Sequence, residues 1–123
     1  MKKFLVIGNP IQHSLSPKLH NYWFRENNIK AVYDKKEINE KEIKSIISDI
    51  KNEKISGINV TVPFKKSVIQ FMDELSPESS ESQSVNTIYF QSGKLVGHNT
   101  DISGFELGIK YSKYDVKNKI VFI

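Results

Sequence analysis

The stretch FLVIG at residues 4–8 decides the fold class of this 123-residue sequence. Four consecutive apolar residues closed by a glycine are typical of a strand buried on both faces of a parallel sheet. Parallel strands need a crossover connection, usually a helix. A helical pattern follows within ten residues, because Leu19, Tyr22 and Trp23 recur at helical spacing. The stretch therefore predicts the first strand of an α/β domain.

Strand and helix patterns continue to alternate along the chain. Ser16-Pro17 predicts a helix start, with the serine as N-cap and the proline in the first turn. Asn39 is placed to cap a second helix, whose apolar stripe at i, i+3, i+4 and i+7 consists of Ile43, Ile46, Ile47 and Ile50. The other predicted elements are strands at 32–38 and 57–63, a short helix at 65–72, a polar loop at 76–84, a hairpin of 85–90 with 94–97, a helix capped by Ser103, and a last strand at 119–123.

This order predicts an α/β domain with a mostly parallel sheet in three α/β/α layers and one antiparallel hairpin. Open α/β sheets bind ligands at the carboxyl ends of their strands. Four polar segments fall at such positions, namely residues 9–16, 59–65, 86–87 and 99–101. We therefore expect the four segments to line one crevice.

Composition argues against several classes of function. The net charge is +4, but seventeen of the eighteen basic residues are lysine. Base readout and bidentate phosphate contacts favour arginine, so a solvated lysine-rich surface is preferred to nucleic-acid binding. Cysteine is absent, which excludes disulfides and favours a cytoplasmic location. The three histidines lack metal-ligand spacing, and no apolar run approaches the roughly 20 residues of a membrane span.

Ser14 and Ser16 flank the predicted start of the first helix. The ordinary interpretation makes Ser16 a cap and Ser14 a loop hydroxyl. A helix N-terminus also presents free N–H groups and the positive end of the helix dipole, which together attract anions. The two serines thus predict a cap alone, or a cap that also belongs to a carboxylate or phosphate site.

Lys65 follows a strand on which Asn59 and Thr61 share a face by period-two alternation. One lysine among seventeen is ordinarily a surface residue, and Asp101 ordinarily satisfies local backbone donors. A lysine close to a carboxylate can instead transfer protons, and Lys65 with Asp101 would make such a pair. Both interpretations stay open on the residues alone.

Four segments together resemble, in order and spacing, the amino-terminal half of shikimate dehydrogenase. They are NPIQHSLSPKLHN (9–21), GINVTVPFK (57–65), SVNT (84–87) and GHNTDISGF (97–105). The resemblance implies a substrate-binding domain at 1–102, a connecting helix and linker at 103–118, and the first strand of a Rossmann-type NADP-binding domain at 119–123.

The resemblance further implies an NADP-dependent enzyme that reduces 3-dehydroshikimate to shikimate, on the route to chorismate and the aromatic amino acids. Lys65 would transfer the proton to and from the carbinol oxygen, with Asp101 as its catalytic partner. Ser14 and Ser16 would bind the substrate carboxylate. The full set of substrate-binding residues carried over by position is Ser14, Ser16, Thr61, Lys65, Asn86 and Asp101.

The cofactor-binding domain is expected to be absent from this chain. None of its six glycines, at positions 8, 57, 93, 97, 104 and 108, stands in a G-x-G-x-x-G pattern. We therefore expect a piece of a longer enzyme, inactive alone, with no cofactor-binding residue and no metal site. Gln83-Ser84 also differs from the small-residue pair that the family often carries before V-N-T.

Other functions stay open beside this one. A quinate or dual-specificity relative using NAD would share most of these residues, as would a non-catalytic anion-binding module on the same fold. The expected partner is the small molecule shikimate or 3-dehydroshikimate, rather than a nucleic acid or a membrane. An apolar strand at 119–123 would favour association, for example into a homodimer.

Overall fold

A six-stranded mixed sheet forms the centre of the molecule in the computed structural model, which describes residues 1–122. The strands are β1 (Lys2–Gly8), β2 (Ala31–Glu37), β3 (Gly57–Val60), β4 (Glu74–Leu75), β5 (Thr87–Gln91) and β6 (Lys94–His98). Their order across the sheet is β2-β1-β3-β5-β6-β4. Only β5 runs antiparallel to its neighbours, β3 and β6, while the other pairs are parallel. The predicted α/β class, mostly parallel sheet and hairpin are confirmed.

Helices cover both faces of the sheet. Within the described residues the α-helices are α1 (Ser16–Glu26), α2 (Ile43–Lys51), α3 (Pro77–Ser82) and α4 (Asp101–Ser112), with 3₁₀ turns at Glu40–Glu42 and Ser67–Phe71. Side chains alternate along β1, so that Leu5 and Ile7 pack with α2 while Val6 packs on the α1 side. The predicted three layers follow from this alternation. No helix among residues 1–122 is long and apolar enough to cross a membrane.

The predicted isoleucine stripe is the centre of the larger core. Ile43, Ile46, Ile47 and Ile50 of α2 are all buried, and they pack with apolar residues of β1, β3 and β5. Asn39 caps the 3₁₀ turn Glu40–Glu42 rather than α2 itself, whose cap position is Glu42: the Asn39 N–H donates to Glu42 Oε1 at 3.1 Å, and together the two residues form a capping box. Full burial of each such isoleucine stabilises the fold by about 1.5–3 kcal/mol.

The start of α1 differs from the prediction. The cap position is Leu15, and Ser16 is already the first helical residue, so the Ser16 hydroxyl caps nothing. The Ser16 N–H instead donates to Ser14 Oγ at 3.3 Å. The Ser16 hydroxyl is therefore left for a role other than capping.

The start of α4 also differs, because Ser103 is not its cap. Asn99 Oδ1 accepts hydrogen bonds from the backbone N–H groups of Asp101 and Ile102, at 2.9 and 3.2 Å, and the cap position is Thr100, three residues earlier than predicted. The boundary predicted between residues 102 and 103 consequently falls inside a helix.

Two further predictions about secondary structure were wrong. The polar segment at 76–84 is not a loop, since it contains α3, where Ser76 Oγ accepts the Ser79 N–H at 3.2 Å and Pro77 occupies the first turn. Residues 119–122 pair with no strand in the described part of the chain, and the last residue of the strand predicted at 119–123 lies outside it. The division into domains remains a prediction.

Candidate active site

A cleft of about 380 Å³ opens where β1, β3 and β6 end and β5 begins. Five of the six predicted substrate-binding residues line it: Ser16, Thr61, Lys65, Asn86 and Asp101. The sixth, Ser14, lines an adjoining hollow of about 270 Å³, to which Ser16 and Thr61 also contribute. The sheet thus brings the predicted residues to one edge, as expected of an open α/β sheet.

Lys65 and Asp101 form an ion pair at one end of the cleft. Lys65 Nζ lies 2.6 Å from Asp101 Oδ2, although the residues are 36 positions apart in sequence. The Lys65 backbone is fixed because its carbonyl accepts the Val85 N–H at 2.8 Å, and Asp101 is fixed by the Asn99 bond at the start of α4. The side chains are 32% and 51% exposed, so solvent reaches the pair and the pair adds little to stability.

Asn86 is oriented by three hydrogen bonds. Its Oδ1 accepts the Thr100 N–H at 2.9 Å and the Thr87 hydroxyl at 3.0 Å. Its Nδ2 donates one bond to Thr100 Oγ1 at 2.8 Å. The acceptor is therefore occupied while one N–H of the amide remains, so Asn86 presents a donor to the cleft.

The part of the cleft beside the start of α1 suits an anion. Ser16 opens α1 beside Thr61, and no acidic side chain lies in the first turn of that helix. Gly8 allows Thr61 to approach, because a Cβ at position 8 would lie 2.5 Å from Thr61 Cγ2. The hydroxyl groups of Ser16 and Thr61 therefore lie near the N-terminus of α1, an 11-residue helix. The helix dipole favours negative charge at this end.

Four residues of the site were not among the predicted ones. Asn59, which the resemblance did not name as a substrate-binding residue, lines the cleft with His20 and Thr100. Tyr33 lies behind them and donates its hydroxyl to Asn59 Oδ1 at 2.6 Å. Thr100 adjoins Asp101 in sequence and Asn59 shares a face with Thr61, so these two were within reach of sequence reasoning.

Burial raises the pKa of Tyr33 to about 12, with the Ser16 side chain acting in the opposite direction. Tyr33 is only 4% exposed, and His20 stacks on its ring with 4.2 Å between the centroids. At neutral pH the phenol is therefore a neutral hydrogen-bond donor. No sequence pattern connects Tyr33 to the site, because it lies on β2, whose residues 34–37 are all charged.

The arrangement is that of an α/β domain with a polar cleft at the carboxyl ends of its strands, lined both by hydroxyl groups and by an ammonium–carboxylate pair. The chain belongs to the family of shikimate dehydrogenase substrate binding domains, whose model matches residues 6–88. The resemblance found in the four sequence segments is thereby confirmed.

Individual relatives agree with this family. The chain is 56% identical over 122 residues to the shikimate dehydrogenase (NADP(+)) of Pelagibacter ubique, covering 99% of this chain and 46% of that protein. Shikimate dehydrogenase 1 from Peptoclostridium difficile is similar in structure, with a TM-score of 0.91 and 36% identity over 98% of this chain and 44% of that one. The shikimate 5-dehydrogenase of Listeria monocytogenes, solved in complex with shikimate and NAD, gives a TM-score of 0.88 and 33% identity over 94% of this chain and 40% of that one. The chain spans less than half the length of the relatives it matches.

Proposed function

We propose that this chain is the substrate-binding, catalytic half of an NADP-dependent shikimate dehydrogenase, which reduces 3-dehydroshikimate to shikimate. The observation that carries the proposal is the 2.6 Å pair of Lys65 Nζ and Asp101 Oδ2 in a polar cleft that also holds Ser16, Thr61 and Asn86. Family membership supports the same substrate class. The route to chorismate and a cytoplasmic location follow from that activity.

The substrate is held in one orientation by its two ends. Its carboxylate binds the Ser14 and Ser16 hydroxyls near the N-terminus of α1, where the helix dipole favours an anion. Its ring hydroxyls bind at the other end, donating to the Asp101 carboxylate and accepting from the free N–H of Asn86. A ring lacking one of these hydroxyls would leave the Asp101 carboxylate without that donor or the Asn86 N–H without that acceptor, and would bind more weakly.

Lys65 moves the proton. In reduction, the ammonium at Lys65 Nζ protonates the oxygen that develops negative charge as the carbonyl is reduced, and solvent then reprotonates the amine. In oxidation, the neutral amine takes the proton from the same hydroxyl. Asp101 keeps Nζ aimed into the cleft through their 2.6 Å hydrogen bond.

The hydride would come from a nicotinamide cofactor, NADPH in the family named above. No glycine of this sequence stands in a dinucleotide-binding pattern, so we assign no residue of the chain to that cofactor. What these residues supply is the substrate site and the proton.

Binding and turnover test the proposal separately. Titration of the 123-residue chain with shikimate, followed by NMR, is expected to shift the signals of Ser16, Asn86 and Asp101. A fusion of the chain to the part of the Pelagibacter ubique enzyme that it does not span is expected to oxidise shikimate with NADP, with that unaltered enzyme as positive control. Absence of shikimate binding at millimolar concentration would overturn the proposal.

The same fusion separates the remaining candidates. The kcat/KM is measured for shikimate and for quinate, each with NADP and with NAD. A larger kcat/KM for quinate than for shikimate would identify a quinate-using relative, and a larger kcat/KM with NAD than with NADP would identify an NAD-using one. A fusion that binds shikimate but whose turnover is unchanged by Lys65→Ala would favour a non-catalytic anion-binding role for this cleft. Gel filtration of the chain tests the predicted homodimer.

A further inference from the structure

Tyr33 is held at an exposed edge of the sheet by a residue of α1. Strand β2 is an edge strand, so the outward backbone groups of Tyr33 have no strand partner. Asn21 supplies both partners: its Nδ2 donates to the Tyr33 carbonyl at 2.7 Å, and its Oδ1 accepts the Tyr33 N–H at 2.9 Å. The side chain of Asn21 thereby fixes the position of Tyr33 relative to α1, which also carries Ser16.

The Tyr33 side chain reaches across β1 and fixes the amide of Asn59. Its hydroxyl donates to Asn59 Oδ1 at 2.6 Å. This bond directs Asn59 Nδ2 toward the Asn86 carbonyl, at 3.2 Å, and toward Thr87 Oγ1, at 3.1 Å. If the amide were flipped, Asn59 Oδ1 would face the Asn86 carbonyl oxygen, and the Tyr33 hydroxyl would face an NH₂ group that cannot accept its proton.

The orientation of Asn59 is passed on to Asn86. Because Thr87 Oγ1 accepts from Asn59, its own proton is free to donate to Asn86 Oδ1, at 3.0 Å. That bond helps to keep Asn86 with its oxygen turned toward the backbone of Thr100 and its remaining N–H toward the cleft. Hydrogen bonds in a partly buried chain of this kind polarise and orient one another.

We propose that Asn21 and Tyr33 are positioning residues of the cleft: Asn21 fixes Tyr33, and the Tyr33 hydroxyl fixes the Asn59 amide that orients the Asn86 donor. Neither residue lies among those that line the cleft with Lys65 and Asp101. The inference rests on the proposed function only for its ligand measurement, because the orientation of Asn59 is observable in the free protein.

The first test needs no ligand. Tyr33→Phe removes only the hydroxyl, so the side-chain NH₂ signals of Asn59 in a ¹⁵N NMR spectrum are expected to shift and to exchange faster with water. Tyr89→Phe is the matched control. Tyr89, on β5, lines a second hollow of about 320 Å³ together with Tyr33 and Asn59, but its hydroxyl is not among the hydrogen-bond partners of the Asn59 side chain. Asn21→Ala is expected to move the Asn59 signals in the same direction as Tyr33→Phe. Unchanged Asn59 signals in the folded Tyr33→Phe protein would overturn the proposal.

The second test is a double-mutant cycle on shikimate binding. Tyr33→Phe is expected to raise the Kd by about three- to tenfold, the equivalent of one net hydrogen bond. In the Asn59→Ala background the same substitution is expected to change the Kd by less than about twofold, because the group through which Tyr33 acts has been removed. Equal effects in both backgrounds would show that Tyr33 acts independently of Asn59 and would overturn the proposal. If the unaltered chain binds no shikimate, the proposed function fails while the Asn59 signals still decide the positioning role.

Discussion

The two faces of the sheet differ in the side chains that cover them: one is apolar and the other is largely polar. On the α2 side, fifteen buried apolar residues among residues 1–122 form one continuous core. On the α1 side only Val6, Ile11 and Tyr33 form a buried cluster, and Trp23 of the covering helix remains 47% exposed. The α1 face instead carries a hydrogen-bonded polar network and the cleft. Stability is therefore concentrated on one face and ligand chemistry on the other.

The polar face is ordered because its buried groups are all paired. No buried side-chain nitrogen or oxygen in the described residues lacks a hydrogen-bond partner. A polar network that is fully satisfied fixes side-chain orientation, whereas a single unpaired member would cost about 1–3 kcal/mol. Substitutions on this face should therefore change the geometry of binding more than the free energy of unfolding.

The largest expected effect is that of Lys65→Ala on turnover. Loss of a general acid lowers kcat by about 10²–10⁴-fold. The melting temperature should stay nearly unchanged, because the ion pair with Asp101 is partly exposed. Steady-state kinetics of the fusion enzyme and thermal unfolding of the same sample measure both quantities.

Lys94→Ala is the matched control for that experiment. Lys94 forms an exposed ion pair with Glu74 at 3.0 Å, far along the sheet from the cleft. Its removal should leave kcat unchanged. An equal loss of kcat in both variants, or a large drop in melting temperature with Lys65→Ala, would contradict the separation of the two faces.

Ile46→Ala gives the next largest effect, on the other face. Ile46 is 1% exposed in the core beneath α2, and such truncations cost about 2–5 kcal/mol. Urea denaturation should show this loss with an unchanged slope. In the protein that remains folded, the Kd for shikimate should match that of the unaltered chain, since Ile46 packs on the face opposite the cleft. A weaker Kd in fully folded Ile46→Ala protein would show that the core also shapes the cleft.

The apolar face was the part of the fold that sequence patterns could predict. The isoleucine stripe of α2 repeats at helical spacing and the run at 4–8 is continuous, so burial alone determines both elements. Short polar elements escaped prediction because local hydrogen bonds, not apolar periodicity, define them. The helix α3 depends on Ser76 accepting the Ser79 N–H, inside a segment whose composition is that of a loop.

The site was predictable only where its residues follow strand ends. Asn86 comes directly before β5, while Asp101 and Lys65 lie three and five residues after the ends of β6 and β3, and the topology brings such positions together. Tyr33 and Asn21 escaped notice because their roles depend on tertiary contacts between β2, α1 and β3. Neither periodicity nor a motif encodes a hydrogen bond that crosses an intervening strand.

Tyr33 predicts a smaller effect, which appears only at high pH. Its pKa is about 12 in the folded chain against an ordinary value of 10.0, so below pH 10 both folded and unfolded states hold the proton and stability is complete. Between pH 10 and 12 the unfolded state loses the proton first, and the free energy of unfolding should fall by about 3 kcal/mol. Urea denaturation from pH 9 to 12 should therefore give a steeper decline for the unaltered chain than for Tyr33→Phe. Parallel declines would mean that Tyr33 ionises equally in both states.

The smallest effect distinguishes two Ser-Pro pairs with the same sequence signal. Ser76 caps α3, with its Oγ accepting the Ser79 N–H at 3.2 Å, whereas Ser16 makes no side-chain cap of α1. Ser76→Ala should therefore cost about 1 kcal/mol in urea denaturation, and Ser16→Ala clearly less. The two variants should exchange roles in shikimate binding: Ser16→Ala should lower the affinity for shikimate, whereas Ser76→Ala should leave it unchanged. If Ser16→Ala lowered stability as much as Ser76→Ala without weakening binding, the hydroxyl at position 16 would be a structural group, and the anion end of the cleft would have to lie elsewhere.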